Sequence, residues 1–188
     1  MSQEEIVKQL SSKELARAVF YSQLFFFFTG IFLWFLFVRD WEATKAMFQF
    51  RLTDIFYYGV LMALLLVVVE IIVSKWVPKK HFDDGGINEK LFKGQSVPAI
   101  FFIALVVAIS EEFLFRGVLQ TTFGYLFASG LFVIVHTRYL RKPVLLLMII
   151  VTSFLIGYLF ELTNNLLVTM TFHFLVDFLL GLYVKFSK

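Results

Sequence analysis

Apolar residues in this chain run in long blocks instead of alternating with polar ones, and short polar interruptions separate the blocks. About 20 consecutive apolar residues cross a bilayer as one helix, and in lipid only a helix or a closed barrel satisfies its own backbone. The pattern therefore predicts an all-α, polytopic transmembrane helical bundle of about six spans. Met1 to Leu15 is polar with apolar positions Ile6, Val7, Leu10 and Leu15, and predicts a short amphipathic helix at the membrane surface. The run Ala16 to Val38 has no small-residue cleavage site after it and predicts a retained first span. The second span is expected over about Ile55 to Val77, and the third from Val97 to Thr121. The fourth covers about Gly124 to Tyr139, the fifth Val144 to Phe160 and the sixth Leu166 to Val184. Between the second and third lies a polar loop, Pro78 to Ser96, with the turn pair Gly85-Gly86. Residues 1–95 thus form an amino-terminal segment with two spans and a loop, and residues 96–188 a four-span core that does not fold independently.

Composition sharpens this picture. Of the 188 residues 60% are hydrophobic, 16% are charged and 26 are Phe, and the mean hydropathy is +0.83. Soluble chains are about 45–50% apolar and about 25% charged. These values exclude a disulfide scaffold, a nucleic-acid-binding domain and a disordered tail, and make the lipid bilayer the first partner. The absence of Cys removes thiol chemistry. The net charge of +3 reports orientation before it reports a partner. With six spans, Lys8, Lys13, Arg17, Lys75, Lys79, Lys80, Lys90, Lys93, Arg138, Arg141, Lys142, Lys185 and Lys188 share one side, against Arg39, Lys45, Arg51 and Arg116 on the other. Basic residues favour the cytoplasm, so both termini are expected there, in a multi-pass protein of the cell membrane. The run Phe25 to Phe28 reads as lipid-facing bulk.

Ionisable groups inside a bilayer cost a few kcal/mol or more each and point to function. Here they cluster. Glu112 and Arg116 are four apart on the third span, on one helix face and in the favourable acid-before-base order. Glu111 is turned about 100° away and is free to face a cavity. His136 closes the fourth span, and His173 and Asp177 lie four apart on the sixth. Carboxylates and imidazoles on three helices suit activation of water and stabilisation of an oxyanion. The same donors would also make a metal site with an open position, and spacing does not choose between the two.

In order along the chain, Glu111-Glu112-xxx-Arg116, Phe132-xxx-His136 and His173-xxx-Asp177 resemble the motifs of the type II CAAX prenyl endopeptidase and bacteriocin-processing family of intramembrane proteases. Gly157-Tyr158 and Asn165-Leu166 fall where that family has similar residues, and the resemblance covers about Val97 to Val184. It implies an endopeptidase acting on a membrane-associated peptide or protein, with Glu111 and His136 activating water. It also implies that His173 and Asp177 form the oxyanion-stabilising pair and that Glu112 and Arg116 orient the site. The family has Asn or Asp at the place of Asp177. It often has Pro where this chain has Thr169. Members are described both as metalloproteases and as metal-independent glutamate enzymes. The expectation here is no metal, with zinc as the alternative.

Two other classes fit the same residues: a non-catalytic membrane scaffold or immunity protein of this fold, and a proton-coupled carrier using the carboxylates and imidazoles as a relay. No repeat halves support the carrier. Glu70, near the cytoplasmic end of the second span, is expected to snorkel or to pair with Lys75 or Ser74. Straight, upright spans would put Glu111 about 20 Å deep, His173 about 16 Å and His136 about 6 Å. The third span is accordingly expected to start late, tilt or break, around a cavity open to the cytoplasm.

Overall fold

The computed structural model describes residues 9–78, 81 and 84–187. Lys8, Lys79, Lys80, Asp83, Lys188 and the first half of the expected amphipathic helix lie outside the described residues. Five helices are long and apolar enough to cross a membrane, and the protein is a multi-pass membrane protein. They are α1 (Ser12–Val38), α3 (Leu52–Trp76), α5 (Val97–Phe123), α7 (Pro143–Thr163) and α8 (Leu166–Phe186). Between them lie the short helices α2 (Trp41–Ala46), α4 (Ile87–Lys93) and α6 (Tyr125–Val135).

The boundaries follow from capping. Ser11 and Glu14 form a capping box, in which the Glu14 amide donates to the Ser11 hydroxyl and the Ser11 amide donates to the Glu14 carboxylate. That box starts α1 at Ser12, so Ser12 to Leu15 belong to the first span and not to a separate surface helix. Ser96 caps α5, with Pro98 tolerated in its first turn. Asn165 caps α8 by accepting from the Leu167 amide at 3.0 Å, while its own amide donates to the Gln49 carbonyl at 2.7 Å.

The fourth span is shorter than expected. α6 has 11 residues, about 16 Å of rise, roughly half a hydrocarbon core. Gly124, at φ 89°, permits the turn into it, and His136, at φ −80° and ψ 51°, ends it.

α8 is the centre of the bundle. Phe172 and Val176 pack with Ala63, Leu66 and Val67 of α3 and with Ile156 and Leu159 of α7. On another side Phe174 and Phe178 meet Phe101 of α5, with ring centroids 5.0 and 5.6 Å apart. α1 covers α5: a Cβ on Gly30 would stand 2.9 Å from the Phe113 ring, so only Gly lets the helices approach this closely. Phe25 and Phe28 are exposed to the surroundings, but Phe26 packs on Phe115 and Phe27 on Phe113, so the Phe run is only half lipid-facing.

Candidate active site

The polar residues converge where α1, α5, α6, α7 and α8 meet. Immediately after Glu112, α5 widens into π-helical winding over Phe113–Gln120. Such insertions are frequent at functional sites because they re-aim side chains within a helix. The widened segment carries Arg116 inward, where it is fully buried. The third span therefore neither starts late nor breaks; it changes pitch at the site.

Glu112 is the hub. Its Oε2 stands 3.4 Å from Arg116 Nε, and its Oε1 accepts from His173 Nδ1 at 2.8 Å. The Glu112–Arg116 pair matches the helix spacing, but the His173–Glu112 bond was not legible from it, because it joins residues 61 apart. His173 turns its other nitrogen towards Asp177 Oδ2 at 3.5 Å. One line of charge thus runs Arg116, Glu112, His173, Asp177, from the buried interior to a half-buried carboxylate. Arg116 is fixed further by donating to the Ser153 carbonyl at 3.0 Å and by lying 4.8 Å from the centre of the Phe132 ring.

Glu111 faces the other way, as the 100° offset requires, and it too is buried. Its Oε1 accepts from the Gln23 side-chain amide at 2.9 Å. Its Oε2 has no hydrogen-bond partner among the described residues. Gln23, from the first span, was missed by the motif reading. The signal for it was available, since a lone amide in an apolar run needs a polar partner in lipid.

His136 does not join these groups directly. Its Nδ1–H donates to the Phe132 carbonyl at 2.7 Å, since a carbonyl can only accept. A neutral ring then keeps its lone pair on Nε2. Phe132 supplies the link: its ring is 4.7 Å from that of His136 and 6.0 Å from that of His173. His136 is therefore one helical turn, about 6 Å, from a residue in contact with His173, and the expected mismatch in depth shrinks accordingly. Beyond it, Tyr139 stacks on His136 at 6.0 Å. The Tyr139 hydroxyl accepts from Arg138 at 2.7 Å and from Asn88 of α4 at 3.3 Å, which ties the polar loop to the His136 turn.

Glu70 corrects an expectation. Its carboxylate accepts from Thr152 of α7 at 3.4 Å and has Asp177 within electrostatic reach, instead of pairing with Lys75 or Ser74. Ser74 donates to the Ile71 carbonyl at 2.8 Å. Gly157 and Asn165 are structural: the Gly157 carbonyl accepts from Gln120 at 2.9 Å, and Asn165 caps α8. Among the described residues, no three His, Asp or Glu side chains converge as metal ligands do.

Residues 93–179 match the family model described as type II CAAX prenyl endopeptidase Rce1-like. The uncharacterized protein YpbD of Bacillus subtilis is 39% identical over 166 residues, covering 88% of each chain. No solved structure matches.

Proposed function

Since the chain belongs to the Rce1-like family of type II CAAX prenyl endopeptidases, we propose that it is an intramembrane endopeptidase that hydrolyses a membrane-associated peptide or protein with water activated by glutamate and histidine. The observation that carries this reading is the split environment of Glu111: one oxygen is held by Gln23, and the other is buried without a partner among the described residues. A carboxylate so held offers a fixed, unoccupied oxygen to a water.

In this reading Glu111 takes a proton from water as its oxygen attacks the scissile carbonyl carbon, and Nε2 of His136 shares the base role. Among the described residues no hydrogen bond joins the two, and the reading places the hydrolytic water between them. The developing oxyanion is met by His173 and Asp177. Glu112 and Arg116 orient His173, which serves in this reading as an imidazolium between two carboxylates: Nδ1–H is committed to Glu112, and Nε2–H faces Asp177 and can be donated to an incoming carbonyl oxygen. Collapse of the intermediate breaks the C–N bond, and the proton held by Glu111 passes to the leaving amine.

We also propose that the site works without a metal. Both ring nitrogens of His173 face carboxylates, and the Arg116 guanidinium places a positive charge 3.4 Å from Glu112, where a divalent cation would be repelled. We further propose that both termini lie in the cytoplasm, with α6 counted as a short sixth crossing; the distribution of basic residues supports this. The test is amino-terminal profiling of membranes from cells carrying the native chain or Glu111→Gln at equal expression. New peptide amino-termini found only with the native chain support the reading. Matching profiles, with a knockout phenotype that Glu111→Gln rescues, would replace it with the scaffold or immunity protein.

A further inference from the structure

His136 has one nitrogen to aim, yet it stands where a helix stops. It follows the last residue of α6, at φ −80° and ψ 51°, so no helix continues beyond it. The torsion that tilts a histidine ring about its Cβ–Cγ bond is broad and roughly two-fold, and the side chain alone does not fix the plane. The hydrogen bond from Nδ1 to the Phe132 carbonyl at 2.7 Å chooses between the two half-turns. It leaves the ring free to rock within the chosen one. Two aromatic planes lie close to the imidazole: the Phe132 ring is inclined 30° to it and the Tyr139 ring 20°, with centroids 4.7 and 6.0 Å away. Each of these rings meets a guanidinium in turn. Arg116 lies 4.8 Å from the centre of Phe132, and Arg138 lies 4.6 Å from the centre of Tyr139. Phe132 is fixed by the core, since it and Arg116 are both fully buried. Tyr139 is only half-buried and ends a three-residue 3₁₀ turn, Thr137–Tyr139.

Side chains three apart eclipse in 3₁₀ winding, and the Tyr139 amide donates to the His136 carbonyl at 2.9 Å, so the turn itself brings the Tyr139 ring back to that of His136. What keeps the ring there reaches outside the turn. The Tyr139 hydroxyl accepts from Arg138 Nη2 at 2.7 Å and from Asn88 Nδ2 of α4 at 3.3 Å. The far end of this tether is itself set: the Asp84 carboxylate accepts from the Asn88 backbone amide at 3.1 Å and stands 4.0 Å from Arg138 Nη1. We propose that Tyr139 is a positioning residue for His136: its ring, tethered through the hydroxyl to α4, sets the tilt of the imidazole and so the aim of Nε2. A displacement of about 1 Å in a reacting group can cost about 100-fold in rate, so a plane that stops the ring rocking serves a residue sharing the base role. Asn88 lies outside the residues matched by the family model, and through it the polar loop becomes part of the support of the site.

The inference rests on His136 sharing the base role in the endopeptidase reading, but its test uses no substrate and so fails or succeeds separately from that reading. The full chain, labelled with carbon-13 and nitrogen-15 in its three histidines and reconstituted in lipid vesicles, is measured by solid-state NMR above the pH range in which histidine titrates. The His136 signals are assigned by their loss in His136→Gln. The C–H dipolar coupling of the ring reports rocking, and the nitrogen shifts report which nitrogen carries the proton. The native chain should show an unaveraged coupling and the Nδ1–H tautomer at His136. In Tyr139→Leu, which keeps an apolar side chain but no plane, the coupling is reduced and the two nitrogen signals converge. Tyr139→Phe keeps the plane and loses the tether, Asn88→Ala loses the tether from its other end, and both fall between; they carry the test if Tyr139→Leu does not fold. His173 is the internal control, since its coupling stays native in every folded variant if the loss is confined to His136. An unchanged His136 coupling in Tyr139→Leu, or an equal loss at His173, would overturn the positioning role. Native coupling in both Tyr139→Phe and Asn88→Ala would overturn the tether to α4.

Discussion

Replacing Arg116 by Met tests whether the buried charge line holds the helices together. The guanidinium and its partner Glu112 are both wholly buried, with Nε and Oε2 3.4 Å apart. Arg116→Met removes that ion pair, the bond to the Ser153 carbonyl at 3.0 Å and the contact over the Phe132 ring at 4.8 Å. Taking one partner from a buried pair costs about 3–5 kcal/mol, because the other charge is stranded. Here Glu112 keeps His173 at 2.8 Å, which places the expected loss near the lower end, about 3 kcal/mol. That is a factor of more than about 100 in the unfolding equilibrium. Unfolding in a defined detergent micelle, followed by circular dichroism, measures it. Glu112→Gln in the same background should then cost less than it does alone, by about 1 kcal/mol or more, since contacting groups are not additive. Arg116→Lys, which keeps the charge but loses the planar fork, should fall in between. A loss below about 1 kcal/mol for Arg116→Met, or strict additivity in the double variant, would show that the pair has no such structural weight.

Packing and docking give further expectations. Gly157→Ala would set a Cβ 2.6 Å from Ser129 Oγ and 2.8 Å from the Tyr125 ring, so overpacking should destabilise the chain by about 1–3 kcal/mol; a thermal midpoint equal to the native one would contradict the close approach of α6 and α7. Tyr139→Phe removes the hydroxyl shared by Arg138 and Asn88, a loss of about 1 kcal/mol, and hydrogen exchange over Ile87–Lys93 should quicken, whereas unchanged exchange would detach the loop from the His136 turn. Chelation should leave proteolysis of a cleaved membrane peptide at full rate; a loss restored by zinc would refute the metal-free site.

The long spans were legible because about 20 apolar residues in a row have few other uses. The fourth was misjudged in length, since apolar character continues to Val135 while His136 takes a dihedral pair that ends the helix. Pairs within one helix, Glu112 with Arg116 and His173 with Asp177, could be read from i,i+4 spacing. Bonds between helices could not. His173 to Glu112, Gln23 to Glu111 and Glu70 to Thr152 depend on how α1, α3, α5, α7 and α8 are rotated against one another. The π-helical pitch after Glu112 left no trace in residue types, as Phe113 to Gln120 reads as ordinary apolar helix. Gln23 and Gln120 were the overlooked clues: each is an amide in an apolar run, and each donates its Nε2–H to a neighbouring span.

Hydrolysis itself is the central claim, and incorporation of oxygen-18 tests it most directly. The purified full chain, reconstituted into vesicles with membrane proteins from cells lacking it, is incubated in oxygen-18 water, and the new carboxyl termini are weighed by mass spectrometry. The account predicts heavy oxygen in new termini made by the native chain and none above background with Glu111→Gln. Equal labelling by the two, or no new termini from either in membranes where the native chain acts in cells, would contradict it.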